Sequence, residues 1–445
     1  MPHRHWCERL LWTAITIGAA WAALSVSLGQ LQRYNDNPTV VTLEKDYREW
    51  QYSLPAITLC PGNRTDPLKM IKAIQKRWNL GPDDKRYAYY ANFVLAVANS
   101  DLFHLQDYEK YKDDDRLDVD LFGLAVEVMP ELLMKISSSQ PVTFQWVPVM
   151  TESGTCYVTN SVATADLALI KSQLNATNNP ITCHYSDTVC YVIFEVTKTS
   201  YYYIHSPYDV AKTSERTGKV YPSLNRFTEL SVTETRTGHG VRELSSRRRA
   251  CLYNDESQEG RKVYSTQMCR LSCRSRLALE LCGCRPFYYF YEAGPFCNPA
   301  GMWCLSKYSK VLANFGGIKC NCQASCLHAE FKEKFVEDQI WGKGPFQERG
   351  SLRLSVEAPR TRYTREIVFH FEDLVVSFGG AAGLFLGASF ISFVEIIYFA
   401  MEKLFKVFSR EEEIKPVIIQ KRPYEKRIEE IGIILKSLNS RQIPY

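Results

Sequence analysis

The sequence predicts an α+β membrane protein in which two transmembrane helices flank a large disulfide-rich domain. Three observations carry that reading. Two long uncharged apolar runs lie near the ends of the chain, and fourteen of the fifteen cysteines fall between them, from Cys60 to Cys326. The residues in between mix helical spacing with stretches rich in β-branched and aromatic side chains. Composition agrees: 445 residues with 45% apolar, 13% aromatic and 23% charged side chains can bury a sizeable core, which excludes wholesale disorder. The net charge of +5, from 54 Lys+Arg against 49 Asp+Glu, is too slight to imply a nucleic-acid partner.

Residues 1–9 form a short basic N-terminal segment with His3, Arg4, His5 and Arg9. The first span is residues 10–32, twenty-three uncharged residues that as a helix of about 1.5 Å per residue reach roughly 34 Å, enough for a hydrocarbon core of about 30 Å. A cleaved signal peptide is the alternative for this run, with Ser25-Val26-Ser27 supplying small residues; Trp12 and Trp21 and the length of the run argue against it. The second span is residues 371–401, whose uncharged part runs from Leu374 to Val394. Lys403, Lys406 and Arg410 follow it, so the positive-inside tendency puts both termini in the cytoplasm and residues 33–370 outside. An oxidising exterior suits the cysteines. The tail, residues 402–445, is charged and cysteine-free, carries one candidate short helix at Glu425–Leu438 and has no PPxY ligand.

Within residues 33–370, Tyr52–Cys60 reads as a strand, and Asp66–Asn99 and Asp107–Met134 have helical spacing. Val189–Ile204 and Phe227–Glu234 read as strands, and Arg360–Phe371 alternates as a strand running into the second span. Asn63-Arg64-Thr65 and Asn175-Ala176-Thr177 are glycosylation sequons.

The spacing Cys269-x3-Cys273-x8-Cys282-x-Cys284, followed by Cys297, Cys304 and Cys320-x-Cys322-x3-Cys326, admits zinc ligation, but C-x-C pairs outside the cell favour disulfides, and no metal site is expected. Spacing alone leaves the connectivity open. In the second span Gly379, Gly383 and Gly387 lie four apart and share one helical face, which suits close helix packing. Gly387-Ala388-Ser389 stands at the centre of the run with Ser392 and Glu395 on the next turns. Small residues there let carbonyls and hydroxyls line a narrow aqueous path, and an acidic residue in a span is costly unless it faces water or a partner. The acidic group Asp113, Asp114, Asp115, Asp118 and Asp120 reads first as a solvated face, and His205 and His239 first as structural histidines. No nucleophile elbow, HExxH helix or phosphate-cradling loop is present, so catalysis and cofactors are not expected.

These residues resemble the degenerin/epithelial sodium channel family, most of all its arthropod pickpocket branch. The resemblance is most specific at GGAAGLFLGASFISFVEIIYF (Gly379–Phe399) and extends through ERLLW, LPAITLC, IHSPYDV, RRRACLYNDE and the CGC…CNC…C array. It implies a trimeric sodium-selective channel of the plasma membrane, often amiloride-blocked, passing Na+ as permeant ion between homo- or heterotrimeric subunits in lipid, with palm, thumb and finger regions. Gly387, Ala388 and Ser389 would form the selectivity filter. The resemblance also implies the pairs Cys251–Cys326, Cys269–Cys322, Cys273–Cys320, Cys282–Cys304 and Cys284–Cys297, with Cys60–Cys190 and Cys156–Cys183. Asp373 would place three carboxylates at the outer mouth, and Val376, three positions before Gly379-Gly380, stands where family members usually carry a small gating residue. The family's His-Gly pair before the first span has no counterpart here, which implies a shortened start or different gating. A disulfide-rich type I receptor and a non-conducting accessory subunit are the competing functions.

Overall fold

The computed structural model describes residues 6–132, 134–142, 144–170, 179–187, 189–212, 217–256, 260–314, 320–344 and 347–408. The chain forms two compact units, one of residues 31–371 and one of residues 1–30 with 372–445.

The chain opens with α1 (Trp6–Asp36) and enters β1 (Thr39–Glu44). The stretch expected as one strand is two, β2 (Gln51–Ser53) and β3 (Ala56–Pro61), because Pro55 lacks the N–H a continuous ladder needs. The region Asp66–Asn99 is likewise two helices, α2 (Pro67–Trp78) and α3 (Tyr87–Ala98). Asp66 caps the first by accepting from the Leu68 and Lys69 amides, and Asn79 ends it in the left-handed region before Gly81-Pro82. Asp107–Met134 is not a helix. It holds two 3-10 turns, Leu105–Lys110 and Asp115–Leu117, and a short α4 (Leu121–Glu127), because the aspartates bond local backbone instead of extending a helix.

Seven strands and a helical turn follow: β4 (Met134–Ser138), β5 (Val147–Thr151), β6 (Gly154–Thr159), α5 (Thr164–Leu167), β7 (Thr182–His184), β8 (Tyr191–Val196), β9 (Ser200–His205) and β10 (Gly218–Val220). The run expected as one strand at 189–204 is thus β8 and β9, which turn at Lys198-Thr199 into different sheets. β11 (Leu224–Thr237) extends the expected 227–234 strand at both ends and precedes α6 (Ser246–Arg249) and β12 (Cys251–Leu252). The cysteine array runs through α7 (Thr266–Cys282), α8 (Pro299–Ser306), α9 (Ser309–Asn314) and β13 (Ala324–Ser325), with Cys269, Cys273 and Cys282 on α7, Cys304 on α8 and the others in the connecting loops. Then come β14 (His328–Ile340), β15 (Gly350–Glu357), β16 (Arg362–Ile367), α10 (Phe371–Leu386) and α11 (Phe390–Phe408).

In the larger unit a seven-stranded sheet runs β1-β16-β11-β15-β8-β4, with β14 also on β11, and a five-stranded sheet runs β10-β9-β3-β6-β5. Alternation along β11, β15 and β8 buries Leu230, Val232, Leu352, Leu354, Val192 and Phe194, which share one core with Ile57, Leu59 and Tyr202 from the second sheet and with Leu54 just before it. The other face of the five-stranded sheet, through Cys60, Val149, Met150 and Val158, packs on α2, α3, α7 and α8. β3 is therefore buried on both faces, which is why AITLC is continuously apolar.

Seven disulfides cross-link this unit. Cys251–Cys326, Cys269–Cys322 and Cys273–Cys320 nest along α7, and Cys282–Cys304 and Cys284–Cys297 close its far end. The two remaining expected pairs are corrected. Cys60 joins Cys156, because β3 and β6 are antiparallel neighbours that bring them to a Cα separation of 4.3 Å. Cys183 joins Cys190 across a tight loop between β7 and β8.

In the smaller unit α1 is one helix of 31 residues, longer than the expected 10–32 and apolar enough to cross a membrane. The second apolar segment is not one helix: α10 and α11 are separated by three residues and bent by 87°. In this unit only Ala23, Leu374 and Ala381 are buried among the described residues, so both apolar segments present bare hydrocarbon surface.

Candidate functional site: a broken apolar helix and the strands that lead to it

The break falls on Gly387-Ala388-Ser389 and has a local cause. Gly387 has φ +65°, a conformation that costs a side-chain-bearing residue about 1–2 kcal/mol, and its amide donates to the Gly383 carbonyl at 3.0 Å, which ends α10 with a left-handed cap. Two residues later Ser389 starts α11. Its Oγ accepts from the Ser392 amide at 3.3 Å, the Ser392 Oγ accepts from the Ser389 amide at 3.4 Å, and the hydroxyls lie 3.2 Å apart, a reciprocal cap. The Ala388 amide turns back to the Ala382 carbonyl at 3.3 Å, so the carbonyls of Leu384, Phe385 and Leu386 end α10 without helical partners. Carbonyl and hydroxyl oxygens are thereby collected at one point of an otherwise apolar segment. Such oxygens can replace part of a cation's hydration shell.

Of the residues expected at a pore, Asp373, Val376, Gly379, Gly380 and Gly383 lie on α10, and Ser392 and Glu395 on α11. Asp373 and Glu372 occupy the first turn of α10, where the helix dipole favours negative charge. Val376 is 72% exposed, and a Cβ placed on Gly379 or Gly380 would meet nothing within 4 Å. Gly387 does not continue the Gly379–Gly383 face; its left-handed backbone takes it out of the helix. Glu395 is exposed on α11.

The strands that lead to these helices are hydrogen-bonded partners. β1 pairs antiparallel with β16 from Thr39↔Ile367 to Glu44↔Arg362. The Glu44 carboxylate accepts from Arg362 Nε at 2.8 Å and Thr364 Oγ1 at 2.7 Å, and Arg362 stacks over Trp50 at 4.2 Å. The Arg362 hydrogen bond holds the Glu44 carboxyl below its ordinary range against partial burial. Just before β1, Arg248 lies 4.2 Å over the Tyr34 ring and donates to the Tyr34 carbonyl at 3.1 Å, while Arg33 and Tyr34 both contact Phe369. Arg249 is buried, donates to the Cys251, Leu244 and Arg242 carbonyls and pairs with Glu256; its own carbonyl accepts from Arg365 of β16 at 2.9 Å. The two arginines thus tie the foot of the cysteine column to both connecting segments. Sequence reasoning assigned them no role; the signal was the three consecutive arginines, Arg247 to Arg249, ahead of Ala250-Cys251.

The remaining candidates have structural duties. His205 is 5% exposed, with Nε2 2.8 Å from Thr58 Oγ1 and Nδ1 3.0 Å from the Ser206 carbonyl; burial pushes it down to about 4. Asp209 accepts from the Val210 and Gln267 amides at 2.9 and 3.2 Å, and burial raises its carboxyl. His239 lies in the turn after β11. Asp114 is held below the ordinary carboxylate range chiefly by Arg116 and also accepts from Tyr89 Oη, whereas Asp113, Asp115, Asp118 and Asp120 do not converge with it on a metal-binding cluster; among the described residues none of three or more His, Cys, Asp or Glu exists. Asn63 is exposed and its Oδ1 accepts from the Thr65 amide and hydroxyl. Asn175, Glu425–Leu438, His3, Arg4, His5 and Arg410 lie outside the described residues.

Among known proteins, the chain is 24% identical over 212 residues to the sodium channel protein Nach of Drosophila melanogaster, covering 44% of this chain and 39% of that one. It is 27% identical over 181 residues to acid-sensing ion channel 2 of Danio rerio, covering 34% and 32%. Pickpocket protein 19 of Drosophila melanogaster is 20% identical over 467 residues, covering 93% of this chain and 89% of that one. The matched part spans less than half the length of the first of these relatives. A proton-activated chloride channel structure aligns with a TM-score of 0.28 at 8% identity over 88% of this chain and 96% of that one, too slight a likeness to bear on the fold. The family profile described as amiloride-sensitive sodium channel matches residues 2–399. On that match the chain belongs to the amiloride-sensitive sodium channel family.

Proposed function

We propose that this chain is a subunit of a trimeric, sodium-selective and amiloride-sensitive cation channel of the plasma membrane. It crosses the bilayer with α1 and with the α10–α11 pair, keeps both termini in the cytoplasm, and holds the cysteine-rich unit outside as palm, thumb and finger regions. The observation that carries this reading is the apolar segment interrupted by capped oxygens at Gly387-Ala388-Ser389. Three copies place three such breaks around one axis, with Gly387, Ala388 and Ser389 as filter, Ser392 and Glu395 below it and the Asp373 carboxylates at the outer mouth. The open glycine face at Gly379 and Gly380 is where copies approach, since small residues let helices pack closely. The similarity to a sodium channel protein and to an acid-sensing ion channel supports the same reading.

The paired strands β1 and β16 give the stimulus its route: they share a ladder, so a shift of the cysteine column through Arg248, Arg249 and Arg365 acts on both membrane connections together. Asn63, exposed beside a buried Thr65, is the glycosylated asparagine within the described residues, and Asn175 is the second. The test is whole-cell current in cells expressing this chain alone, with extracellular sodium replaced and amiloride applied. A sodium-carried, blockable current whose permeability ratio changes in Ser389→Ala is the expected result. Unchanged reversal potential and block in that variant, at normal surface expression, overturns the filter assignment.

A further inference from the structure

Beyond conduction, the cysteine-rich unit contains a concave basic site. A cavity of about 350 Å³ lies between α7 and α9, lined by the cationic side chains Lys212, Arg270, Arg274 and Lys310 and, among the described residues, by no carboxylate. Its volume is at the lower end of the range for small-molecule sites, roughly 300–1,000 Å³. The four cations are not equivalent. Arg274 is buried and already paired with Glu152, and its Nε donates to the Leu312 carbonyl at 2.9 Å. Arg270 and Lys310 are exposed and have neither a hydrogen bond nor a carboxylate partner among the described residues. Arg270 and Lys310, two cations sharing one concavity without counter-charge, repel one another, and an anion relieves that repulsion.

Gln267 supplies a second, independent observation. It is 6% exposed, lines the same cavity, and its side-chain oxygen is buried without a hydrogen-bond partner. A half-turn of the amide exchanges its oxygen and nitrogen positions, so this side chain can offer a donor to an anion or accept from a ligand hydroxyl. The backbone amides at the start of α7 cannot do the same work, because those of Gln267 and Met268 are taken by Asp209 and Ser265. Recognition rests on side chains, and an Arg beside a Lys suits the oxygens of a carboxylate or phosphate. The wall is also partly apolar: Phe103, 61% exposed, stands in it with Leu102 and Ala313. Volume and apolar wall together call for an organic anion rather than a halide.

We propose that this cavity binds a small organic anion, its carboxylate or phosphate held by Arg270 and Lys310 and its apolar part set against Phe103. The site extends toward a neighbouring cavity of about 460 Å³ that shares Lys212, Gln267 and Arg270 and adds His328, Arg365 and Asp209, whose carboxylate is taken up by the Val210 and Gln267 amides, so a longer ligand has room to continue there.

The test uses the full chain purified in detergent at fixed ionic strength in chloride, with phenyl phosphate and inorganic phosphate as probes. Thermal unfolding and equilibrium dialysis are read against probe concentration. The expected result is saturable phenyl phosphate binding, weakened at least tenfold in Arg270→Gln/Lys310→Gln and several-fold in Phe103→Ser, with inorganic phosphate weaker than phenyl phosphate. Lys310→Gln alone, at an exposed position, keeps the test valid should the double variant fold poorly, and weakens binding several-fold. Equal binding by wild type and Lys310→Gln overturns the site, and equal affinity for the two probes overturns the organic-anion assignment. None of these readouts involves current, so failure here is distinguishable from failure of the channel reading.

Discussion

The two apolar segments use the same residue types to opposite ends. In α1 the hydroxyls of Thr13, Thr16 and Ser25 donate to carbonyls one turn back, at 2.9–3.0 Å, so each is satisfied inside a continuous helix. In the second segment Ser389 and Ser392 bond each other and each other's amide, and the helix stops and restarts around them. Glycine divides in the same way: Gly18 and Gly29 sit in α1 with open space around them, whereas Gly387 takes the left-handed backbone that ends α10. Both segments are apolar; what distinguishes the continuous helix from the broken one is Gly387 followed two residues later by a serine cap.

The largest expected effect comes from removing the break. Gly387→Val puts a β-branched residue at φ +65° and should reduce current by at least tenfold at equal surface expression, whereas Gly18→Ala, measured alongside, should leave it unchanged. If the valine variant conducts normally, the break is not part of the pore. Next comes the cap: Ser392→Ala removes half of the reciprocal pair and should cost about 1 kcal/mol of α11 initiation, seen as a shifted permeability ratio with current retained.

A pH series separates the pore from its support. His205 has a folded pKa of about 4, below its unfolded value, so between those values the unfolded chain binds more protons. Stability is therefore lost as pH falls from about 6.5 toward about 4, by on the order of 3 kcal/mol at most. Asp209, whose carboxyl is raised, titrates with the opposite sign. Thermal unfolding followed over this range should flatten in His205→Gln, with ion selectivity unaltered. The smallest effect is assigned to Ser25→Ala, whose hydroxyl only doubles an existing helical bond: no change in current or expression is expected.

What could be read in the sequence tracks how local its cause is. The length and apolarity of α1 and the density of cysteines are written in contiguous residues. The break was missed because glycines four apart look like one helical face; the contrary signal, Gly387 followed by S-x-x-S, lies in capping chemistry and not in periodicity. VCYVIFEVTKTSYYYI reads as a single strand because both halves are apolar and aromatic, and only the second sheet reveals the turn. The exchange of partners among Cys60, Cys156, Cys183 and Cys190 follows from strand adjacency, which no spacing encodes. Arg248 and Arg249 were invisible for a similar reason: most of their partners are backbone carbonyls, one of them 214 residues away.

The β1–β16 ladder also sets an order of events during synthesis. Thr42 and Thr364, joined by a hydrogen bond, are 322 residues apart in sequence, so β1 leaves the ribosome with no strand to pair with until almost all of the larger unit has been made. Loop closure over such a span is entropically unfavourable until the intervening core has formed and brought the ends together. β1 therefore waits as an unpaired strand, exposed to pairing with other chains. Its ladder therefore closes late, after the core between the two strands has been built.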